Sequence, residues 1–118
     1  MTIPPVIRSV YELLAQQWGA NLDFEENPVT ASVGVTDVVI LKNNPRRLAL
    51  IIINLSANTV YVRPGSNAAS ATAGIVLISG GGSLTMDPIS DFNLASLEWH
   101  AIASGAASSI YVLGLIVA

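Results

Sequence analysis

Turn residues recur every eight to twelve positions along most of this chain and divide it into short segments rich in Val, Ile and Thr. The clearest breaks are KNNP at 42–45, SAN at 56–58, GGG at 80–82 and GAA at 105–107. Short strands at this spacing are typical of a sandwich or barrel, whereas βαβ units would place helical segments between the strands. We therefore predict an all-β domain, a β-sandwich or jelly-roll-like barrel of short antiparallel strands.

About seven strands are predicted. The turn at 56–58 predicts a hairpin between the second and third strands, and the glycines at 80–82 predict another between the fourth and fifth. The last strand stays apolar to its end, which predicts that it is tied into the sheet or into a subunit contact. Its interface candidates are Ile110, Val112, Leu115 and Val117. The seven segments are 29–41, 48–55, 59–63, 75–78, 83–86, 97–103 and 109–117.

The first twenty residues follow a different pattern, because bulky apolar side chains recur there at helical spacing. Pro4 and Pro5 suit the first turn of a helix, and Gly19 suits its end. We predict an amphipathic helix that either packs on its own domain or docks on a neighbour. An acidic connector follows, so the chain divides into residues 1–28, an arm and connector, and residues 29–118, the sandwich. The apolar stripe, also an interface candidate, consists of Ile3, Ile7, Val10, Leu14 and Trp18.

Charged residues make up only 11 % of the chain, against about 25 % in typical soluble domains. A surface with so few charges is expected either in a membrane or against other protein chains. A spanning helix needs roughly 20 apolar residues, and the longest apolar stretch, 110–118, is about half as long and contains Gly114. We therefore favour burial between subunits, in a homo-oligomer. The alternative is a free domain whose surface is rich in Ser, Thr and Asn.

Nucleic acid is not an expected partner, because the net charge is −3 and the one basic pair, Arg46 with Arg47, lies in a predicted turn. The single histidine, His100, lies in a predicted strand, and no serine lies in a nucleophile-elbow sequence. A structural role is therefore expected for His100, and we predict no enzymatic activity. The glycines at 80–82 lack the lysine and helix of a phosphate-binding loop.

Ions and sugars are two further classes of ligand for which the sequence offers candidate residues. Asp87, Asp91 and Glu98 could offer oxygen ligands to calcium but fit no EF-hand spacing, so loop roles are expected and no cofactor or metal is predicted. The loops 64–74 and 87–93 could instead bind a glycan or an ion. Four aromatic side chains could supply a sugar-stacking platform, although the tryptophans are better suited to the core or an interface. These four are Tyr61, Phe92, Trp99 and Tyr111.

Residues 45–113 resemble a recurring pattern of strands and turns in small virion proteins of tailed bacteriophages. The resemblance lies in PRRLALIIINLS at 45–56 with VYV at 60–62, then GIVL at 74–77 and GGGSL at 80–84. It continues in WHAIASG at 99–105 and IYVL at 110–113. The pattern contains no active site, so no catalytic residues carry over from it.

The resemblance implies a β-sandwich structural component of a phage particle. Such proteins decorate or cement capsids, or form collar, tail and fibre parts, and the resemblance thereby implies contact with the major capsid protein or other virion proteins. We expect a decoration or cement protein at the capsid surface, with a trimer as the preferred state. The alternative is a tail, collar or fibre component that binds a host surface glycan.

Overall fold

The computed structural model describes residues 22–117, together with Leu13 and Gly19. The predicted N-terminal helix and its stripe, Ile3, Ile7, Val10, Leu14 and Trp18, lie outside the described residues. The strands are β1 (Leu22–Glu26), β2 (Val38–Leu41), β3 (Arg47–Asn54), β4 (Val60–Pro64), β5 (Ile75–Leu77), β6 (Ser83–Met86), β7 (Trp99–Ala103) and β8 (Ile110–Val117). A short helix, α1 (Pro88–Asp91), and a 3-10 helix (Leu94–Ser96) lie between β6 and β7.

The strands form two four-stranded sheets. The first sheet has the order β1-β8-β3-β6, and the second sheet has the order β2-β7-β4-β5. Every pairing is antiparallel, and β1 pairs with β8, β2 with β7, β3 with β6 and β4 with β5. Two further pairs, β3 with β8 and β4 with β7, complete the two sheets. Together these pairs give the topology of an eight-stranded jelly roll. The predicted all-β sandwich is confirmed, with one strand more than expected.

The core lies between the two sheets and is filled by alternate side chains of their strands. Leu50 and Ile52 of β3 and Val112 of β8 face Val60 of β4 and Trp99 of β7, and each is at most 1 % exposed. Full burial of one large aliphatic side chain stabilises a fold by roughly 1.5–3 kcal/mol. Because β8 lies between β1 and β3, the apolar end of the chain is tied into the sheet, as predicted.

Both predicted hairpins are wrong, because the strands on either side of each turn belong to opposite sheets. β3 lies in the first sheet and β4 in the second, while β5 lies in the second and β6 in the first. Turn residues show where a chain reverses, but they do not determine which sheet receives the next strand. Residues 80–82 therefore form a crossing between sheets, in which Gly80 and Gly81 adopt positive φ angles of 72° and 114°.

Asn54, at the end of β3, links the two segments in which the chain crosses between the sheets, one from β3 to β4 and the other from β5 to β6. Its side chain is fully buried, and its amide nitrogen donates to the carbonyls of Asn58 at 2.7 Å, Leu77 at 2.9 Å and Ile78 at 3.1 Å. Its amide oxygen accepts from the backbone nitrogen and the hydroxyl of Ser56 at 3.0 and 2.7 Å. One side chain thus joins the 55–59 crossing to the end of β5.

Two other segments differ from prediction. The acidic connector contains β1, an edge strand in which Leu22 and Phe24 share one face and Asp23 and Glu25 share the other, so the sheet begins before residue 29. Residues 29–41 form a strand only at Val38–Leu41. The acidic residues of this segment predicted a connector and hid its period-two alternation. Charged residues are in fact common in the edge strands of sheets.

Arg47, predicted in a turn, instead begins β3 and is only 4 % exposed. Its guanidinium donates to the carbonyls of Ala95 at 3.2 Å and Lys42 at 3.3 Å, which attaches the 3-10 helix to the first sheet. Burial lowers the pKa of Arg47, and the negative charge of Glu25 opposes that shift. Arg47 is therefore a structural residue and contributes no basic patch to the surface.

Candidate functional site: an apolar sheet face

The outer surface of the first sheet is apolar. Successive side chains of a strand point to opposite faces, so the residues between the core positions point outward. Phe24 of β1 pairs with Leu115 of β8, which pairs with Ala49 of β3, and Ile51 of β3 pairs with Leu113 of β8. A trough of about 200 Å³ crosses these residues and reaches β6. We call this surface the apolar sheet face.

The rim of the apolar sheet face is acidic. Phe24 is 62 % exposed on the edge strand β1. Two residues further along β1, the Glu26 carboxylate accepts a hydrogen bond of 3.1 Å from the hydroxyl of Tyr111. Asp87 lies at the opposite end of the trough, next to β6. A continuous apolar surface with a polar rim is the usual form of a protein contact site.

The structure separates the four interface candidates of the last strand. Leu115 lines the trough, and Val117 is on the same outward face and is partly exposed. Val112 is fully buried in the core, and Ile110 packs against the core from the same inward face. Val112 is therefore inaccessible to a partner. The prediction combined residues from both faces of β8, because all four are apolar and only the strand register shows which face each one occupies.

The 87–93 loop contains α1 and carries two of the most exposed apolar side chains. Asp87 caps α1 by accepting from the backbone nitrogens of Ile89 at 2.9 Å and Ser90 at 2.8 Å, and its own nitrogen donates to Asp91 at 3.0 Å. Ile89 is 75 % exposed and Phe92 is 79 % exposed. Phe92 has a φ of 55°, which a bulky side chain rarely adopts. The two aspartates therefore serve the loop itself, as expected from sequence.

The four aromatic residues do not form one stacking platform. Trp99 is fully buried, and its indole nitrogen donates to the carbonyl of Leu94 at 3.0 Å, so it cannot stack on a sugar. Tyr61 and Tyr111 belong to different sheets, and Phe92 lies on the 87–93 loop. That platform is therefore wrong, and the core role of Trp99 is confirmed.

A second, larger groove of about 530 Å³ lies beside the start of β8. It is lined by residues from 27–33 and 107–110, all of them uncharged. Asn27 and Ala107 both adopt positive φ angles, 49° and 53°, at the two sides of this groove. Half of its lining residues are Ser, Thr or Asn, which offer hydrogen bonds to a ligand but no ionisable group.

His100 lies between two carboxylates on the outer face of the second sheet, where it is only 7 % exposed. One ring nitrogen, Nδ1, is 2.8 Å from Asp37, and the other, Nε2, is 2.9 Å from Glu98. Asp37 also accepts from the backbone nitrogen of Ala69 at 2.8 Å, which attaches the 64–74 loop to this cluster. Arg63 of β4 lies opposite His100 in the register. Sequence alone could not show this cluster, since 63 positions separate Asp37 from His100.

This arrangement favours a positively charged imidazole, which links Asp37 and Glu98 by hydrogen bonds. Burial alone lowers the pKa of His100, but the hydrogen bonds and negative charges of Asp37 and Glu98 outweigh it and raise that pKa above the ordinary value. Both ring nitrogens are engaged, so His100 could accept a proton from a serine only after losing one of these contacts. The geometry thus agrees with the structural role expected for His100.

The raised pKa predicts a pH-dependent stability. A protonated His100 donates to both carboxylates, so its stabilisation is complete below pH of about 6.5 and is lost as pH rises through the folded-state pKa. We expect His100→Gln to lower the free energy of unfolding by about 1–2 kcal/mol near pH 6 and by less near pH 9. Urea denaturation at several pH values measures this. An unchanged pH dependence in His100→Gln would contradict the prediction, and the exposed Asn43→Gln is the control.

No family model, no curated protein and no solved structure matches this chain. Among the residues that the structure describes, no helix is long and apolar enough to cross a membrane. In that same part of the chain, no group of three or more His, Asp or Glu side chains could hold a metal ion.

Proposed function

We propose that this chain is a structural, non-enzymatic virion protein that assembles through its apolar sheet face. The observation that carries the proposal is that face itself, a trough open to solvent and lined mostly by apolar side chains of the first sheet. An apolar surface of this kind gains free energy when another protein chain removes it from water. The face offers a contact surface, with ionisable groups only at its rim.

The sequence and the fold support the proposal in different ways. The low share of charged residues is what a chain buried between subunits needs. Jelly rolls occur in viral capsid domains, but also in lectins and cupins, so the fold contributes by analogy alone. The resemblance of residues 45–113 to small tailed-phage virion proteins favours a virion role among these uses.

We place the protein at the capsid surface as a decoration or cement protein, with a trimer as the preferred state. Contact with the major capsid protein would join neighbouring capsomers. A specific interface buries about 800 Å² on each partner. At roughly 25 cal/mol per Å² of apolar surface, part of that area offsets the entropy lost on association.

Charge on the apolar sheet face should abolish self-association. We expect Leu115→Lys to convert the wild-type oligomer to single chains, because an ammonium group in a closed apolar contact loses its hydration and its paired neighbours, Phe24 and Ala49, carry no charge. The control is Val76→Lys, at a position 53 % exposed on β5 of the second sheet. Light scattering after size-exclusion chromatography measures the mass. If both variants keep the wild-type mass, the face is not the contact.

The virion assignment is tested by counting copies of this chain relative to the major capsid protein in purified particles, using quantitative mass spectrometry. Hundreds of copies, or a ratio near one, support the decoration or cement role. A few dozen copies or fewer favour the alternative, a collar, tail or fibre component that binds a host glycan. Complete absence from the particle would overturn the assignment.

A further inference from the structure

We infer that two copies of this chain pair with each other through β6, the neutral edge strand of the first sheet. This inference rests on the proposed function, because a pair of such short strands persists only where self-association already holds two copies close together. It adds a contact at the edge of the sheet to the contact through the apolar sheet face. Since a two-fold pair cannot lie within a trimer, it joins one trimer to the next.

The opposite edge strand of the first sheet, β1, is closed to a further strand. Hydrogen-bonded residues alternate along an antiparallel strand, and Asn27, just after β1, donates to the carbonyl of Val112 on β8 at 2.7 Å. The nitrogen of Phe24 therefore points away from β8, and it donates to the carboxylate of Asp23 at 2.8 Å. Three of the five residues of β1 are acidic, and charge on an edge strand opposes pairing with another chain.

The two edges of the second sheet offer little to a partner strand. Thr30 lies along β2, where its nitrogen donates to the carbonyl of Ile40 and its hydroxyl to the carbonyl of Val39, both at 2.9 Å. β5 has only three residues, and the outer two bond to β4. Its middle residue, Val76, is then the only one whose backbone groups face outward.

The outer edge of β6 is open. Just before β6, the carbonyl of Gly82 accepts from the nitrogen of Asn54 at 2.8 Å, so the alternation directs the backbone groups of Ser83 and Thr85 away from β3. Both residues are exposed. None of the hydrogen bonds that residues 22–117 make from turns, loops or side chains reaches the nitrogen or the carbonyl oxygen of either one. β6 therefore presents unpaired donors and acceptors at the spacing of a strand.

The surroundings of β6 carry no charge. Residues 64–86 contain no ionisable side chain, and this stretch includes both β5 and β6. Natural edge strands usually carry a charge or a proline that prevents pairing with another chain, and β6 has neither. The first sheet thus has one acidic edge and one neutral edge, and the neutral edge favours a contact at β6.

β6 is complementary to a second copy of itself. In an antiparallel pair with a two-fold axis at Leu84, Ser83 of each copy lies opposite Thr85 of the other. Both residues direct their N–H and C=O groups to this side, so each opposed pair can exchange both backbone hydrogen bonds. Their hydroxyl side chains can bond across the strands with no charges opposed. Because Thr85 also lines the trough, the pair joins the two apolar sheet faces into one surface.

Disulfide formation between two single-cysteine variants tests the pair and its register, since the chain contains no cysteine. Ser83→Cys and Thr85→Cys, mixed and mildly oxidised, should link to each other, because opposed Cβ atoms lie about 4.5–5.5 Å apart. In either variant alone, the two thiols sit on a diagonal roughly 7–8 Å long, too far for an unstrained disulfide. Gel electrophoresis without reductant should show at least about fivefold more linked pairs in the mixture than in either variant alone. Ser83→Cys mixed with Val76→Cys, on the exposed β5, is the control and should show no such excess.

Proline at the same position tests the backbone contact. Ser83→Pro removes the N–H group that the partner strand would accept from, and we expect at least about tenfold weaker self-association by light scattering. Ser83→Thr keeps that group and should assemble as the wild type does. An edge strand tolerates proline where its N–H faces solvent, and thermal unfolding of the single chains checks that both variants fold. Wild-type self-association of a folded Ser83→Pro would overturn the pair.

The outcomes distinguish the β6 pair from the proposed function. If mixing gives no excess of linked pairs although Leu115→Lys lowers the wild-type mass, the pair is wrong and the role of the apolar sheet face stands. The same result is expected if β6 binds a strand of a different protein. An excess of linked pairs, together with a wild-type mass for Leu115→Lys, supports the pair and overturns the face. A wild type that never self-associates, with no excess of linked pairs, overturns both.

Discussion

Asn54→Ala is expected to lower the free energy of unfolding by about 3–4 kcal/mol, the largest effect of any polar substitution in this chain. The side chain is fully buried, and its amide donates to three carbonyls, those of Asn58, Leu77 and Ile78. Alanine removes the donor to Leu77 and the acceptor of the Ser56 backbone nitrogen, and each buried unsatisfied group costs about 1–3 kcal/mol. The carbonyls of Asn58 and Ile78 each keep one other donor, the Ser56 hydroxyl at 3.2 Å and the Gly82 nitrogen at 3.1 Å. Local relaxation and water recover part of that cost, which places the net effect below the sum.

Urea denaturation followed by circular dichroism measures the effect. Asn43→Ala is the matched control, since Asn43 is exposed in the turn before β3, and it should change stability by less than about 0.5 kcal/mol. Asn54→Asp keeps the acceptor for Ser56 and loses the amide donor. It should therefore be as destabilising as alanine. If Asn54→Asp instead has the wild-type free energy of unfolding, donation by the Asn54 amide does not stabilise the two segments that cross between the sheets.

The positions of most strands follow from the sequence, whereas their partners do not. Val, Ile and Thr between turns locate β3, β6 and β8 to within a residue or two, because these side chains suit a pleated, half-buried surface. Pairing in a jelly roll joins segments far apart in the chain, such as Leu22 with Val117. Nothing local encodes such a contact. Asn54 gives one local indication of a distant contact. It is a polar residue at the end of the apolar strand β3, and its amide needs hydrogen-bond partners if that end is buried.

The sequence predicts that the protein has an apolar surface, but it does not predict where on the fold that surface lies. The low charge correctly indicates that a surface of this protein is unusually apolar, but only the strand register shows which surface this is. In β8, Leu113 and Leu115 face outward while Val112 faces the core, and all three look alike in sequence. The cluster around His100 was missed for the same reason, because Asp37 reaches the ring through the pairing of β2 with β7.

Trp99→Ala is expected to be the most destabilising single substitution in this chain, lowering the free energy of unfolding by about 4–5 kcal/mol. Trp99 is the largest fully buried side chain, and it fills the space between the two sheets. Alanine removes its contacts, leaves a cavity, and removes the 3.0 Å hydrogen bond to the carbonyl of Leu94, which keeps the Leu97 nitrogen as a donor at 3.3 Å. A domain of this size has only about 5–15 kcal/mol of stability, so a large fraction of the molecules could unfold at growth temperature.

Two comparisons separate packing from other roles of this residue in a thermal or urea denaturation series. Trp99→Phe keeps most of the ring volume and loses the hydrogen bond, so it should cost about 1–2 kcal/mol. Phe92→Ala removes an aromatic ring that is 79 % exposed and should cost less than about 0.5 kcal/mol in the monomer. If Trp99→Ala were as mild as Phe92→Ala, the indole would have to lie at the surface, and the two-sheet core built around it would be wrong. Any loss of ligand or partner binding in Trp99→Ala would follow from unfolding, since a buried indole contacts neither.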